Sequence, residues 1–260
     1  MKLFTIIGNF QKDCIYKFLI TNSFFKNMYE YIEIKDVNEM NKDELDNLYN
    51  NILPKINLLI IQPISVELNK NILTFVNNEC IKILIPILYF NYYHPFYIKN
   101  YDINLLEIYK KYNYQNINFY INKYNDKFYN INLLDKSYFN NILIKEINNI
   151  KNNELKYKNY CSSDTYIINI SLFITNNYNK KLLFYAPEYP SKDIFQFIVS
   201  SIFIIMCIQL DDYPEDLDPF RTCIVPLYSC IINNINFDIN KYQNNVKEFV
   251  QKYIESNNEN

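Results

Sequence analysis

Over roughly its first 90 positions the chain alternates short apolar runs with segments whose apolar residues recur at helical spacing, and few folds accept that order. A strand-length run at residues 3–7 is followed by Cys14, Ile15, Phe18 and Leu19, one buried face of a helix. Residues 29–34 read as a second strand. Asn41 followed by Glu44 has the form of a capping box ahead of Leu45, Leu48 and Ile52, a helix that should end before Pro54. Residues 56–61 form a continuous apolar run stopped by Gln62 and Pro63; residues 66–76 predict a third helix and residues 81–88 a fourth strand. Strands alternating with helices at this spacing build parallel β-α-β units. The predicted class is therefore α/β: a small, mainly parallel sheet in the N-terminal half, with helices on both faces.

Beyond about residue 102 the pattern turns mostly helical. Helices are expected over residues 103–112, over 135–150 with Asp135 or Ser137 as cap, and over 241–254. Asp164 is expected to cap a run in which Ile167, Ile170 and Ile174 mark one face, and residues 182–185 read as a fifth strand. Pro190 and Ser191 open an apolar stretch over residues 194–210, at the lower edge of spanning length and interrupted by Gln196, Ser200, Ser201 and Gln209. A buried core helix of a soluble domain, with no integral membrane span, is the reading that follows. Residues 211–220 are acidic, carry two prolines and read as a solvated loop. With no internal repeat or linker, the chain reads as one domain over residues 1–260, a β-α-β part over about 1–100 and a helical part over about 101–255.

Charge narrows the partners. A net charge of −2 with evenly spread lysines leaves no basic stripe, which argues against nucleic acid. The 6 cysteines form no C-x-x-C pair, and with a single histidine no familiar zinc set can be completed. Cysteines within apolar runs, and no secretory segment at the start, point to a reducing cytoplasm. The skewed usage, with 26 Tyr, 19 Phe and 1 Gly, follows A- and T-rich codons; Asn-rich stretches interleaved with Ile, Tyr and Phe therefore read as ordered. Nothing in the sequence fixes an oligomeric state.

The single glycine, Gly8, closes the first strand, where it permits a positive φ or a close approach. In an open α/β sheet the strand's carboxyl end faces the ligand crevice, and the following helix offers N–H groups and its positive dipole end. Gly8, Asn9 and Gln11 thus form a candidate oxyanion site. By the same rule residues 8–11, 62–65 and 89–95 are expected to line one crevice, the last holding His94, the only side chain here with an ordinary pKa near neutrality. As a general base His94 would take a proton from a hydroxyl acceptor. Cys14 lies one helical turn beyond Phe10, though its spacing also places it with the buried Ile15 and Phe18.

Several ordered segments resemble the WcbI-like polysaccharide biosynthesis proteins, capsule acetyltransferases that bind coenzyme A. IIGNFQ is similar to that family's GNCQ start, LLIIQPIS to its QPI segment, LYFNYYHPFY to its YFxGYHP segment, KKLLFYAPEYPS to its LFYTxNHPS segment, and DPFRTCIVPLY to its closing loop. The resemblance implies an acyl transferase using acetyl-coenzyme A on a glycan or sugar acceptor. It carries His94, Asn9, Gly8 and Gln11 over as catalytic residues, and Gln62, Tyr93 and Ser191 as cofactor contacts, with Pro63, Pro95 and Pro190 also matching; Tyr189 is a further expected cofactor contact through its hydroxyl, at a position that does not match. Two positions depart: Phe10 stands where the family has cysteine, and Tyr189 where it has histidine. The departures leave open a relative that binds coenzyme A or glycan without turnover, or one that keeps only the fold.

Overall fold

The computed structural model describes residues 1–63, 65–94, 136–161, 164–221, 227 and 235–238. The expected helices over residues 103–112 and 241–254, together with Asp135, Ile64 and Pro95, lie outside them. Its contacts group the chain into two interleaved units: residues 1–87, 149–173 and 193–217, and residues 88–148, 174–192 and 218–260.

The first unit holds a parallel sheet of β1 (Lys2–Ile7), β2 (Tyr29–Tyr31), β3 (Leu58–Ile61), β4 (Ile81–Leu84) and β5 (Thr165–Ile167), in the order β2-β1-β3-β4-β5. Its helices include α1 (Gln11–Leu19), α2 (Ser23–Met28), α3 (Lys42–Asn47) and α4 (Val66–Phe75). The long α5 (Lys136–Tyr160) and α6 (Ile170–Asn177) run across both units, and α7 (Lys192–Ile205) returns to the first. The expected α/β class is what the structure shows, with a helix-rich C-terminal region.

Alternation along the strands explains their continuous apolar character, because each face of the sheet has its own core. Ile7, Leu59, Ile61 and Leu84 pack with Leu48, Ile72, Val76 and Tyr157 from α4, α5 and the segment after α3. Phe4 meets Phe25 edge-on at 5.1 Å, Phe25 meets Phe203 of α7 at 5.6 Å, and Phe18 of α1 stacks on Phe195 of α7 at 5.7 Å. Cys14, Ile15, Phe18 and Leu19 are buried on α1, as their spacing predicts. The stretch expected to be a buried helix is α7, with Ile194, Phe195, Ile198, Val199, Ile202 and Phe203 inside. No helix among the described residues is long and apolar enough to cross a membrane.

Boundaries moved where local hydrogen bonding decided them. The helix after Asn41 continues past its expected end through a π-turn over Leu48–Ile52 and a 3-10 turn over Leu53–Lys55 that accommodates Pro54. The capping box itself is present: Asn41 Oδ1 accepts the Glu44 N–H at 2.9 Å and Glu44 Oε2 accepts the Asn41 N–H at 2.8 Å. Asn41→Ala is expected to lower stability by about 1 kcal/mol in urea unfolding.

Asp164 is no helix cap. It pairs with Lys82 at 2.5 Å, a lysine 4% exposed on β4, while Thr165, Tyr166 and Ile167 form the edge strand β5. The i, i+3, i+7 spacing of Ile167, Ile170 and Ile174 mimics a helix, but β-branched and aromatic residues fit a strand paired with β4. Helix α6 starts later, where Asn169 Oδ1 accepts the Leu172 N–H at 3.1 Å. The helix expected over residues 135–150 instead runs to Tyr160, and Ser137 lies inside it.

In the second unit, β6 (Phe184–Ala186) and β7 (Tyr189–Pro190) form a short antiparallel ladder. The Phe90 N–H donates to the Pro187 carbonyl at 3.0 Å and the Phe90 ring lies 5.4 Å from Phe184. The Asn91 N–H donates to Glu146 Oε2 at 3.0 Å, so the segment after β4 is held by α5 and the ladder together.

Candidate functional site

The order β2-β1-β3-β4-β5 reverses between β1 and β3, and ligands of such sheets bind outside the carboxyl ends of the strands at that switch point. Gly8 follows β1 and Gln62 follows β3, whose last residues Ile7 and Ile61 are paired. The Gln62 N–H donates to the Ile7 carbonyl at 2.8 Å, which carries the ladder one step further and sets the Gln62 side chain against Gly8. A Cβ on Gly8 would lie 3.1 Å from Gln62 Cβ and Cδ and would overlap Gln62 Oε1. Gly8 has no positive φ, so close approach is the reason for the glycine.

Gln62 is buried, and its Nε2 donates to Gln11 Oε1 at 3.0 Å. Its Oε1 is buried with no hydrogen-bond partner among the described residues. Asn9 turns the chain into α1: its Oδ1 accepts the Gln11 N–H at 2.9 Å and its carbonyl accepts the Lys12 N–H at 3.0 Å. These N–H groups, expected to be open to an anion, are therefore already bonded within the turn. What remains is the Asn9 NH2, since its oxygen is the atom in use.

Gly8, Asn9 and Gln62 line a cavity of about 200 Å³ with Asp36, Asn38 and Ile87. Asp36 and Asn38 were not singled out by sequence reasoning. Asp36 Oδ1 accepts the Asn38 N–H at 2.9 Å and its Nδ2–H at 3.0 Å, a turn that caps the short helix at Val37–Glu39. Their signal was the D-x-N spacing just past β2, the strand beside β1. Phe10 is 43% exposed at the start of α1, whereas Cys14 is buried on its inner face. Reactive cysteines are partly exposed in electropositive surroundings, which Cys14 is not.

Tyr93, His94, Tyr189 and Ser191 belong to the second unit. The Tyr93 hydroxyl donates to the Tyr178 carbonyl at 2.5 Å, with the Lys181 carbonyl at 3.3 Å, and its ring is fully buried. The Ser191 N–H donates to the Leu183 carbonyl at 2.8 Å, while its Oγ is buried with no partner among the described residues. Tyr189 is half-buried, its ring 5.1 Å from Phe220. Nearby, the Tyr185 hydroxyl donates to Asp218; burial pushes the Asp218 carboxyl up, against the pull of that bond and of Lys192 and Arg221.

His94 departs most from expectation. It is 1% exposed, and neither ring nitrogen has a partner of hydrogen-bond geometry among the described residues. Burial drives its pKa down to about 3, against a smaller upward pull from the Tyr185 backbone. A histidine with an ordinary pKa near neutrality is thus replaced by one that stays neutral well into the acid range.

The sequence pattern of the family described as "Polysaccharide biosynthesis enzyme WcbI" matches residues 3–204. The chain belongs to the WcbI family. Its fold is similar to that of a solved WcbI structure, described as a novel polysaccharide biosynthesis enzyme, with a TM-score of 0.63 and 15% identity over 84% of this chain and 74% of that one. That structure is further described as the native protein without a disulfide bond between coenzyme A and one of its cysteines. No curated protein matches the chain. The stretch shared with the WcbI family includes β1 to α7 almost entire, and so both Gly8 and Gln62.

Proposed function

We propose that this WcbI-family chain is a coenzyme A-dependent acyl transferase, acetyl in the first instance, that acts on a polysaccharide or glycan precursor in the cytoplasm. The observation that carries this reading is the cavity at the β1/β3 switch point. At about 200 Å³ it is smaller than sites that enclose a whole drug-sized ligand. Among the described residues its lining combines carboxamides and apolar carbons with one carboxylate, Asp36, and no lysine or arginine. A diphosphate would meet like charge there, whereas an uncharged pantetheine arm ending in a thioester would not. The family description and the coenzyme A named for the solved WcbI structure support the cofactor and the class of acceptor.

Bound coenzyme A supplies an activated acyl thioester. The Gly8 N–H and the Asn9 NH2 are the donors proposed for a developing oxyanion. Gln62 Oε1, which lacks a partner, is suited to accept an N–H such as the pantetheine amides carry, and Gln11 fixes its orientation. In the second unit the Ser191 Oγ and the Tyr189 ring are the groups offered to a ligand, since the Tyr93 hydroxyl is held by backbone carbonyls.

A second reading, a relative that binds coenzyme A or glycan with little turnover, is favoured by His94. A base whose conjugate acid has a pKa of about 3 is poorly matched to proton abstraction near pH 7, and Phe10 supplies no nucleophile. Calorimetry with coenzyme A and acetyl-coenzyme A, followed by thiol release in the presence of oligosaccharides, tests both readings. Both ligands are expected to bind, Gln62→Ala to weaken binding by about tenfold, and thiol release to be slow. No binding of coenzyme A, acetyl-coenzyme A or any of the oligosaccharides would overturn both readings.

A further inference from the structure

A second cleft of about 450 Å³ lies in the first unit, along the outer edge of the sheet, and belongs to none of the site residues above. It is within the size range of ligand sites, about 300–1,000 Å³. Helix α5 contributes Lys151, Leu155 and Lys158, whose i, i+4, i+7 spacing puts them on one face. The strand β5 contributes Tyr166, 51% exposed, the turn after it contributes Asn169, and the first turn of α6 contributes Ser171.

Charge at this cleft is set by what is already paired. The one carboxylate among its described lining residues, Glu154, is buried: Oε1 accepts the Ser171 N–H at 2.8 Å and Oε2 accepts the Ser171 hydroxyl at 2.5 Å. Lys151 and Lys158 are exposed and make no ion pair among the described residues. The cleft therefore offers two free ammonium groups, an amide, and a phenol ring half out of water, an apolar face with a polar tip. That set recognises a sugar ring through its carbon face and hydroxyls, and an acidic substituent through the lysines.

Position agrees with composition. β5 runs parallel to β3 two strands away, so Asn169 and Ser171 sit at the same sheet edge as Gln62, about 10 Å along it by strand spacing. We propose that this cleft binds an anionic glycan, one bearing carboxylate or phosphate groups, as a distal subsite for the acceptor chain. Its link to an acceptor rests on the acyl-transfer reading; the binding itself rests on the cleft alone.

The test is calorimetry on the full chain with galacturonate oligosaccharides, their neutral methyl esters and a phosphorylated oligosaccharide, alongside acetyl-coenzyme A. Acidic oligosaccharides are expected to bind at least about tenfold more tightly than the neutral esters at low salt, with the advantage shrinking as salt is raised. The carboxylate and phosphate arms say which acidic group is preferred. Tyr166→Ala is expected to weaken all glycans by about tenfold, and Lys151→Ala with Lys158→Ala to abolish the preference for acidic ones. All three residues are exposed, and circular dichroism of the variants should match the parent. Acidic binding lost in these variants sustains the proposal even where no acyl transfer occurs, a result that would count only against the acyl-transfer reading. Intact acetyl-coenzyme A binding with no glycan binding, acidic binding unchanged in the variants, or displacement of the glycan by a free nucleotide would each overturn it.

Discussion

Gly8→Ala is expected to cost about 1–3 kcal/mol of stability and to remove binding at the switch-point cavity, although the backbone there suits any residue. No positive φ is involved, so the whole cost is steric. The new methyl group would meet Gln62 Cβ and Cδ at 3.1 Å and overlap Oε1. A surface glutamine would swing aside at little cost. Gln62 is buried and tied to Gln11 at 3.0 Å, so moving it breaks a buried hydrogen bond and leaves Gln11 without that donor. In a Gln62→Ala background the same substitution should cost less, because the contacts to Oε1 and Cδ are gone while the 3.1 Å contact to the Cβ of residue 62 remains. Urea unfolding of the four proteins closes the double-mutant cycle. Additive effects would show that Gln62 does not hold Gly8 in place.

The sheet was legible because its signal is one of periodicity. Leu58–Ile61 is buried on both faces and reads as a continuous apolar run, and the capping atoms of Asn41 and Glu44 are where the spacing puts them. β5 was misread since three isoleucines at helical spacing outweighed a short strand whose pairing with β4 is a long-range fact. The π-turn at Leu48–Ile52 escaped for a related reason: local propensity does not show how a chain passes a proline that follows a buried leucine.

At the candidate site, residue positions were easier to foresee than their chemical state. The strand-end rule located Gly8 and Gln62, while the reason for the glycine emerged only from the amide packed against it. Asp36 and Asn38 could have been found by applying the rule to β2 as well. His94 was recognisable as the one imidazole in the chain, but its environment comes from residues distant in sequence, and burial is what sets its titration.

That titration yields the other large effect. With a folded pKa of about 3 and an unfolded value near 6.5, the unfolded state binds the extra proton between those limits. Stability should therefore rise with pH across that window, by at most about 1.4 kcal/mol per pH unit. Lowering the pH from 6.5 to 4.5 corresponds to a loss of about 2–3 kcal/mol from this group, whereas above pH 7 it contributes no slope. Asp218 acts in the opposite sense, since a carboxyl raised by burial favours the folded state as pH falls, so the wild-type profile alone does not isolate the histidine. His94→Leu does: its profile should be flatter than wild type by this amount in the acid range. At pH 7.5 its stability should lie within about 1 kcal/mol of wild type, because among the described residues the imidazole nitrogens it removes lose only the weak pull of the Tyr185 backbone. A proton NMR titration gives an independent reading, as the chain's single imidazole should hold its neutral shift down to about pH 4. An imidazole that titrates near 6.5 in the folded protein would instead place His94 in contact with water and restore it as a base for acyl transfer.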